Sequence, residues 1–140
     1  MAMSTKLSVA IHILSLIEIG PPELVTSEFI ASSVNTNPVV VRRLMSKLKK
    51  AGLIQTSRGL SKNYLLKKPQ EISLYAIYEA VELDREVFNI HQNPNPNCVV
   101  GATIQVTLEN EFSKVQQRME EELAHIYLSE VIAQMVGKRG

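Results

Sequence analysis

Residues 33–54, SVNTNPVVVRRLMSKLKKAGLI, set a polar turn ahead of a short segment that is apolar on one side and cationic on the other. Asn37 suits an N-cap, and Pro38 suits the first helical position, where its missing N–H costs nothing. The spacing predicts a helix from Pro38 to Ala51 that stops at Gly52. On a 3.6-residue wheel Val41, Leu44, Met45 and Leu48 share one face, while Val39, Arg42, Arg43, Ser46 and Lys50 point the other way. One side of this helix needs a core, and the other suits a polyanion.

The elements on either side of this helix fix its context. TKLSVAIHILSLIEI, Thr5 to Ile19, is apolar on nearly every face and predicts a first helix buried on several sides, ended by Gly20-Pro21-Pro22. Thr26 or Ser27 can cap a second helix of two or three turns, with Phe29, Ile30 and Val34 on its apolar face. After the third helix, LIQTS and NYLL read as two strands around RGLSK, a hairpin whose tip lies near Gly59 and Lys62. Helix, helix, turn, helix, hairpin is the order of a winged helix-turn-helix.

Charge divides the chain in two. Residues 1–70 carry ten Lys and Arg against three acids, a balance of +7, and residues 71–140 carry five against eleven, a balance of −6. Nine of the ten cations of the first half lie between Arg42 and Lys68. Such clustering is the footprint of a nucleic-acid-binding module. In that module the start of the recognition helix meets base edges, which makes Thr36, Asn37, Val39 and Arg43 the candidates for reading sequence. Arg42, Lys47, Lys49 and Lys50 are placed for phosphates, and Arg58 and Lys62 of the wing for the neighbouring minor groove. A solvated charged face is the plain alternative, and the coincidence of the cations with a complete helix-turn-helix and hairpin argues against it.

Beyond KKPQE, Ile72 to Leu83 predicts another helix, and FNIHQNPNPNCVVG, with two prolines and a glycine, predicts a loop. From Ala102 to about His125 the apolar residues Ile104, Leu108, Phe112, Val115, Met119 and Leu123 recur at spacings of three and four. We read this seam as a homodimer interface, because it outlasts what a small wing domain can cover. A last short helix runs from Leu128 to about Val136. The expected architecture is therefore mainly α with a small β-hairpin wing: a winged helix-turn-helix domain over 1–83 (wing about 53–66), a sensor-type loop over 84–101, and dimerisation helices over 102–140.

Other features bound the function. The 140 residues suit one domain, or one small domain plus an accessory helix, and no apolar run approaches the roughly 20 residues a bilayer span requires. The start of the chain does not read as a signal peptide, so the expected location is cytoplasmic, without membrane attachment. Cys98 is the single cysteine, which excludes an intramolecular disulfide and any CxxC zinc site. A lone cysteine is commonly a small buried hydrophobe. Here it precedes a helix N-terminus, which lowers a thiol pKa, and redox sensing through Cys98 stays open beside the inert reading. His91 reads as a surface loop histidine, His12 as a satisfied core or interface histidine, and Glu120-Glu121-Glu122 as a solvated helix face. The chain shows no Gly-rich phosphate loop, metal-ligand spacing or nucleophile elbow, so an enzyme is not expected and a small thiol enzyme using Cys98 and His91 is a remote alternative.

Essentially the whole chain resembles the Rrf family of winged helix-turn-helix transcription regulators, the group of the iron–sulfur cluster regulator, the nitric-oxide-sensitive repressor and the cysteine-metabolism repressor. The segments that carry the resemblance are LSVAIHILSL, VNTNPVVVRRLMSKLKKAGLIQTSRG, ISLYAIYEAVE and the NPNPNCVVG loop, and the likeness is greatest to the YwnA-type branch. It implies a homodimer crossed through the long C-terminal helix that binds double-stranded DNA at a palindromic operator and usually represses. It also implies that Arg58 of SRG enters the minor groove while the NTNPVVVRR helix reads the major groove. Cluster-binding members carry three cysteines in the loop where this chain has only Cys98, so no iron–sulfur cofactor is expected. The wing has Lys62-Asn63-Tyr64 where the family usually has GGY. The expected function is a sequence-specific, thiol-responsive repressor; the alternative is a redox-inert regulator whose loop and acidic half bind a protein or small-molecule effector.

Overall fold

In the computed structural model, which describes residues 4–21, 26–57, 62–82 and 87–137, the evenly apolar first helix is the centre of the core. This helix, α1 (Lys6–Ile19), meets α2 (Ser27–Val34), α3 (Pro38–Lys50), α4 (Leu74–Val81), α6 (Leu128–Gly137) and the second strand of the wing. Ala10, Ile13, Leu14 and Ile17 are buried, and Leu7, Val9, Ile11 and Leu16 pack against the same core from its margin. A helix without a polar face is stable here because it has neighbours on several sides.

Local chemistry fixes the turn between α2 and α3. The Thr26 hydroxyl accepts a hydrogen bond from the Phe29 N–H at 3.1 Å and starts α2. Asn35 ends it in the left-handed region, φ 63°, a conformation asparagine tolerates better than most residues. Two residues later the Asn37 side chain accepts from the Val39 N–H at 2.8 Å, and Pro38 takes the first position of α3. Val41, Leu44, Met45 and Leu48 are buried, as the wheel predicts. Gly52, φ 76°, then turns the chain so that Leu53 and Ile54 enter the core.

The wing is a two-stranded antiparallel sheet of β1 (Ile54–Thr56) and β2 (Asn63–Leu65), with Ile54 opposite Leu65 and Thr56 opposite Asn63. The strands are shorter than LIQTS and NYLL, yet backbone bonds extend to those limits: Leu66 N–H donates to Leu53 O at 2.9 Å, and Ser57 N–H to Lys62 O at 2.8 Å. The tip, residues 58–61, lies outside the described residues, and with it Arg58 and Gly59.

A 3₁₀ turn over Pro69–Glu71 precedes α4. Ser73 caps α4 by accepting from Ala76 N–H at 3.1 Å, so the helix begins at Leu74, two residues later than its apolar pattern suggests. Ser73 also faces Tyr127 across an isolated bridge, where Leu74 N–H donates to Ile126 O and Leu128 N–H to Ile72 O, both at 2.8 Å. These bonds dock the end of α5 (Val99–Ala124) and the start of α6 onto the body.

α5 runs for 26 residues without one fully buried side chain. It begins three residues ahead of the expected Ala102, taking in Val99-Val100-Gly101, which reads as loop because β-branched residues and glycine are poor helix formers. The reason for Gly101 is tertiary: a β-carbon there would run into the backbone carbonyl of Asn95 in the preceding loop. That loop is tied down as well. Phe88 packs on Phe112 with centroids 5.2 Å apart, Val87 N–H donates to Gln116 Oε1 at 3.0 Å, and Gln105 Nε2 donates to Gln92 Oε1 at 3.1 Å. Among the described residues no helix is long and apolar enough to cross a membrane. The fold is mostly helical with a small two-stranded sheet, as its sequence suggests.

Leu48 is fully buried in the last turn of α3, whereas Ile104 on α5 is 38% exposed. Leu48→Ala is expected to lower stability by about 2–5 kcal/mol in urea unfolding, and Ile104→Ala by less than about 1 kcal/mol in the single chain.

Candidate nucleic-acid interface and loop cysteine

Val39, Arg43, Ser46 and Lys50 are all exposed, and their spacing of four, three and four residues aligns them along one outer stripe of α3. Val39 is 46% exposed and Val40 39%, so the start of the helix shows two methyl-rich side chains to solvent, while Val41 beside them is buried. Sequence reasoning selected Val39 and passed over Val40; in a run of three valines, the burial of one marks the other two. Thr36 is half-buried in the turn, with its N–H donating to Ala31 O at 3.0 Å. Asn37 is exposed at the same end, but its side-chain oxygen is engaged in the cap.

The cations of α3 divide into groups that sequence could not separate. Arg43, Lys49 and Lys50 are exposed. Arg42 pairs with Glu28 of α2 at 3.1 Å, and both side chains are exposed. The Glu28 carboxyl lies below its usual range, first because of a backbone N–H in the opening turn of α2 and then because of Arg42. Lys47 turns away from the stripe, and its Nζ donates to Val81 O at the end of α4, at 3.4 Å. Lys62 is exposed at the start of the second wing strand, and Arg58 lies outside the described residues. Val39, Arg43 and Lys50 thus lie along one outer stripe of α3, with Thr36 and Asn37 in the turn at its start, while Arg42 pairs with Glu28 and Lys47 is directed to α4.

Cys98 is exposed and occupies the N-cap of α5. Its thiol closes no capping hydrogen bond, but the N–H groups of Gly101 and Val100 in the open first turn hold its pKa below the ordinary thiol value. Its backbone is fixed on both sides, Cys98 N–H donating to Asn95 O at 3.3 Å and Ala102 N–H donating to Cys98 O at 2.8 Å. His91 is exposed, and among the described residues no hydrogen bond joins it to Cys98. His12 sits 2.9 Å from the Ser33 hydroxyl, joining α1 to α2, which is the satisfied role expected of it. Among the described residues no group of three or more His, Cys, Asp and Glu is placed to hold a metal ion.

The apolar seam of α5 divides too. Leu108, Phe112, Met119 and Leu123 are half-buried by their own chain, Phe112 under Phe88 and Leu123 against the core. Ile104 and Val115, 38% and 49% exposed, are open to a second molecule. Val99, Val100 and Val106 are also exposed and lie off the heptad-like spacing, which is why the seam missed them.

Comparison with known proteins identifies the family and the fold. The model of the Rrf2 family, described as iron-dependent transcriptional regulators, matches residues 3–134. The chain is 49% identical over 130 residues to YwnA of Bacillus subtilis (strain 168), provisionally named an HTH-type transcriptional regulator, covering 93% of this chain and 96% of that one. A crystal structure of a protein provisionally described as DNA-binding shares 44% identity and superposes with a TM-score of 0.72, covering 91% of this chain and 98% of the other. CymR (YrzC), the global cysteine regulator of B. subtilis, superposes with a TM-score of 0.66 at 19% identity, covering 95% and 97%; a likeness this distant concerns the fold alone.

The lowered pKa of Cys98 has a direct readout. Alkylation by iodoacetamide, followed against pH, is expected to show its midpoint at lower pH in the folded chain than in the same chain unfolded in urea, where an ordinary thiol titrates near about 8.5. Coincident midpoints would show that the first turn of α5 does not act on the thiol.

Proposed function

The chain belongs to the Rrf2 family of transcriptional regulators, which bind DNA, and on that premise we propose that it is a homodimeric, sequence-specific repressor whose signal is modification of Cys98. The observation that carries this reading is the exposed Val39, Arg43, Lys50 stripe on a helix whose start is fixed by the Asn37 cap. Arg43 can fork onto a guanine, the valine methyls can meet thymine methyls, and Lys50 can neutralise a phosphate. Lys62 and Arg58 of the wing serve the adjoining minor groove. The protein acts in the cytoplasm and carries out no catalysis.

Dimerisation is supported by the exposed apolar side chains of α5, Ile104 and Val115 foremost. A two-fold pair of recognition helices reads a palindrome whose half-sites lie one helical turn, about 34 Å, or a whole multiple of it apart. The family's iron dependence does not extend to a cluster held by three cysteines of one chain, because Cys98 stands alone. A thiolate at Cys98 can instead attack a peroxide, breaking the O–O bond, leaving a sulfenic acid on sulfur and releasing hydroxide. The modification falls at the N-cap of the dimer helix, where added bulk changes the angle between the two halves and so the spacing of the recognition helices.

The test is binding to a pool of promoter fragments, including the chain's own, across a salt series. Selective binding is expected, falling linearly with the logarithm of salt concentration. Arg43→Ala should cost about 1–3 kcal/mol and relax specificity at one base pair. A mild peroxide should release the wild type and leave Cys98→Ser bound; release of both would remove Cys98 from the mechanism.

A further inference from the structure

Beside the proposed dimer stripe a groove of about 330 Å³ runs between α5 and the loop that precedes it, a volume suited to a small molecule. Its apolar walls are Phe88 and Ile90 of the loop and Phe112 of α5. Glu109 and Glu120 also line it. They stand eleven residues apart on one helix face, so their backbone positions are separated by about 16 Å, with Phe112 and Gln116 between them. Among the described residues no lysine or arginine lines the groove. Neither the DNA-binding surface nor the cysteine uses it.

We propose that this groove binds an elongated dication, a molecule with a cationic group at each end and an apolar span between them. Each end meets a carboxylate, Glu109 or Glu120, and the span lies against the Phe88 and Phe112 rings. The pattern selects against anions through both carboxylates, and against short dications, which cannot reach the two together.

The groove is also connected to the recognition helix. Gln116, on its floor, accepts from Val87 N–H at 3.0 Å and donates to Tyr78 Oη at 3.0 Å and to Glu120 Oε2 at 2.8 Å. Tyr78 belongs to α4, whose last carbonyl, Val81 O, accepts from Lys47 of α3. A cation that takes Glu120 from Gln116 disturbs one of the contacts that join α5 to α4, and α4 packs against α3. This effector role rests on the DNA-binding reading above, whereas occupancy of the groove does not.

Calorimetry on the full chain without DNA tests the site, with 1,10-diaminodecane as probe and decylamine, 1,4-diaminobutane and decanedioate for comparison. The long diamine is expected to bind roughly fivefold tighter than decylamine, the worth of one added surface charge pair, with the short diamine weaker and decanedioate not bound. In the shape-conserving Glu109→Gln, Glu120→Gln double variant that advantage should vanish. Equal affinity for diamine and monoamine, or an unchanged double variant, would overturn the proposal. The probe should further change promoter affinity in the wild type and not in the double variant; equal changes in both would place the effect on the DNA and overturn the effector role. If the chain selects no promoter fragment at all, the DNA-binding reading fails while calorimetry still decides the groove.

Discussion

The two backbone hydrogen bonds that join Ile72 and Leu74 to Leu128 and Ile126 are the joint on which the molecule depends. They close over Ile72 and Leu128, both fully buried, and they set the end of α5 against the helical body. A 26-residue helix with no buried side chain of its own cannot be held by hydrophobic burial alone. It is held at its base by this joint and along its length by Gln116, by the Phe88–Phe112 contact and by the loop carbonyl that Gly101 admits. Any rotation at the far end of α5, where Cys98 sits, is thereby referred to the same body that carries the recognition helix.

At the other end of that body the design is reversed. α3 buries four side chains and is capped by Asn37, so its outer stripe is presented on a rigid support. Preorganisation of this kind lowers the entropy lost when side chains are ordered against a ligand. Lys47 and Arg42 are directed to the support: one donates to the end of α4 and the other pairs with α2. Arg43 and Lys50 are exposed for a partner. Cations that look alike on a helical wheel thus divide into structural and displayed groups.

Much of this was legible from residue types. The NTNP turn, the buried face of α3, the evenly apolar α1 and the hairpin each follow from local chemistry that the structure repeats. What sequence could not supply depends on distant residues meeting. The early start of α5 hinges on Asn95 approaching Gly101, and the roles of Arg42 and Lys47 hinge on Glu28 and Val81. The seam of α5 shows the same limit: spacings of three and four identify a face, and Leu123 and Phe112 turn that face partly toward their own chain while Ile104 and Val115 leave it open. Periodicity reports that a surface is to be covered, and does not say by what.

The central claim is that two copies of this stripe, held by paired α5 helices, read one palindrome. Hydroxyl-radical footprinting of a promoter fragment selected by the chain tests it most directly. Two protected patches on one face of the duplex, related by a dyad and separated by one helical turn, about 10 base pairs, or a whole multiple of it, are the expected result. A single unpaired patch, or protection spread evenly over the fragment, would contradict it.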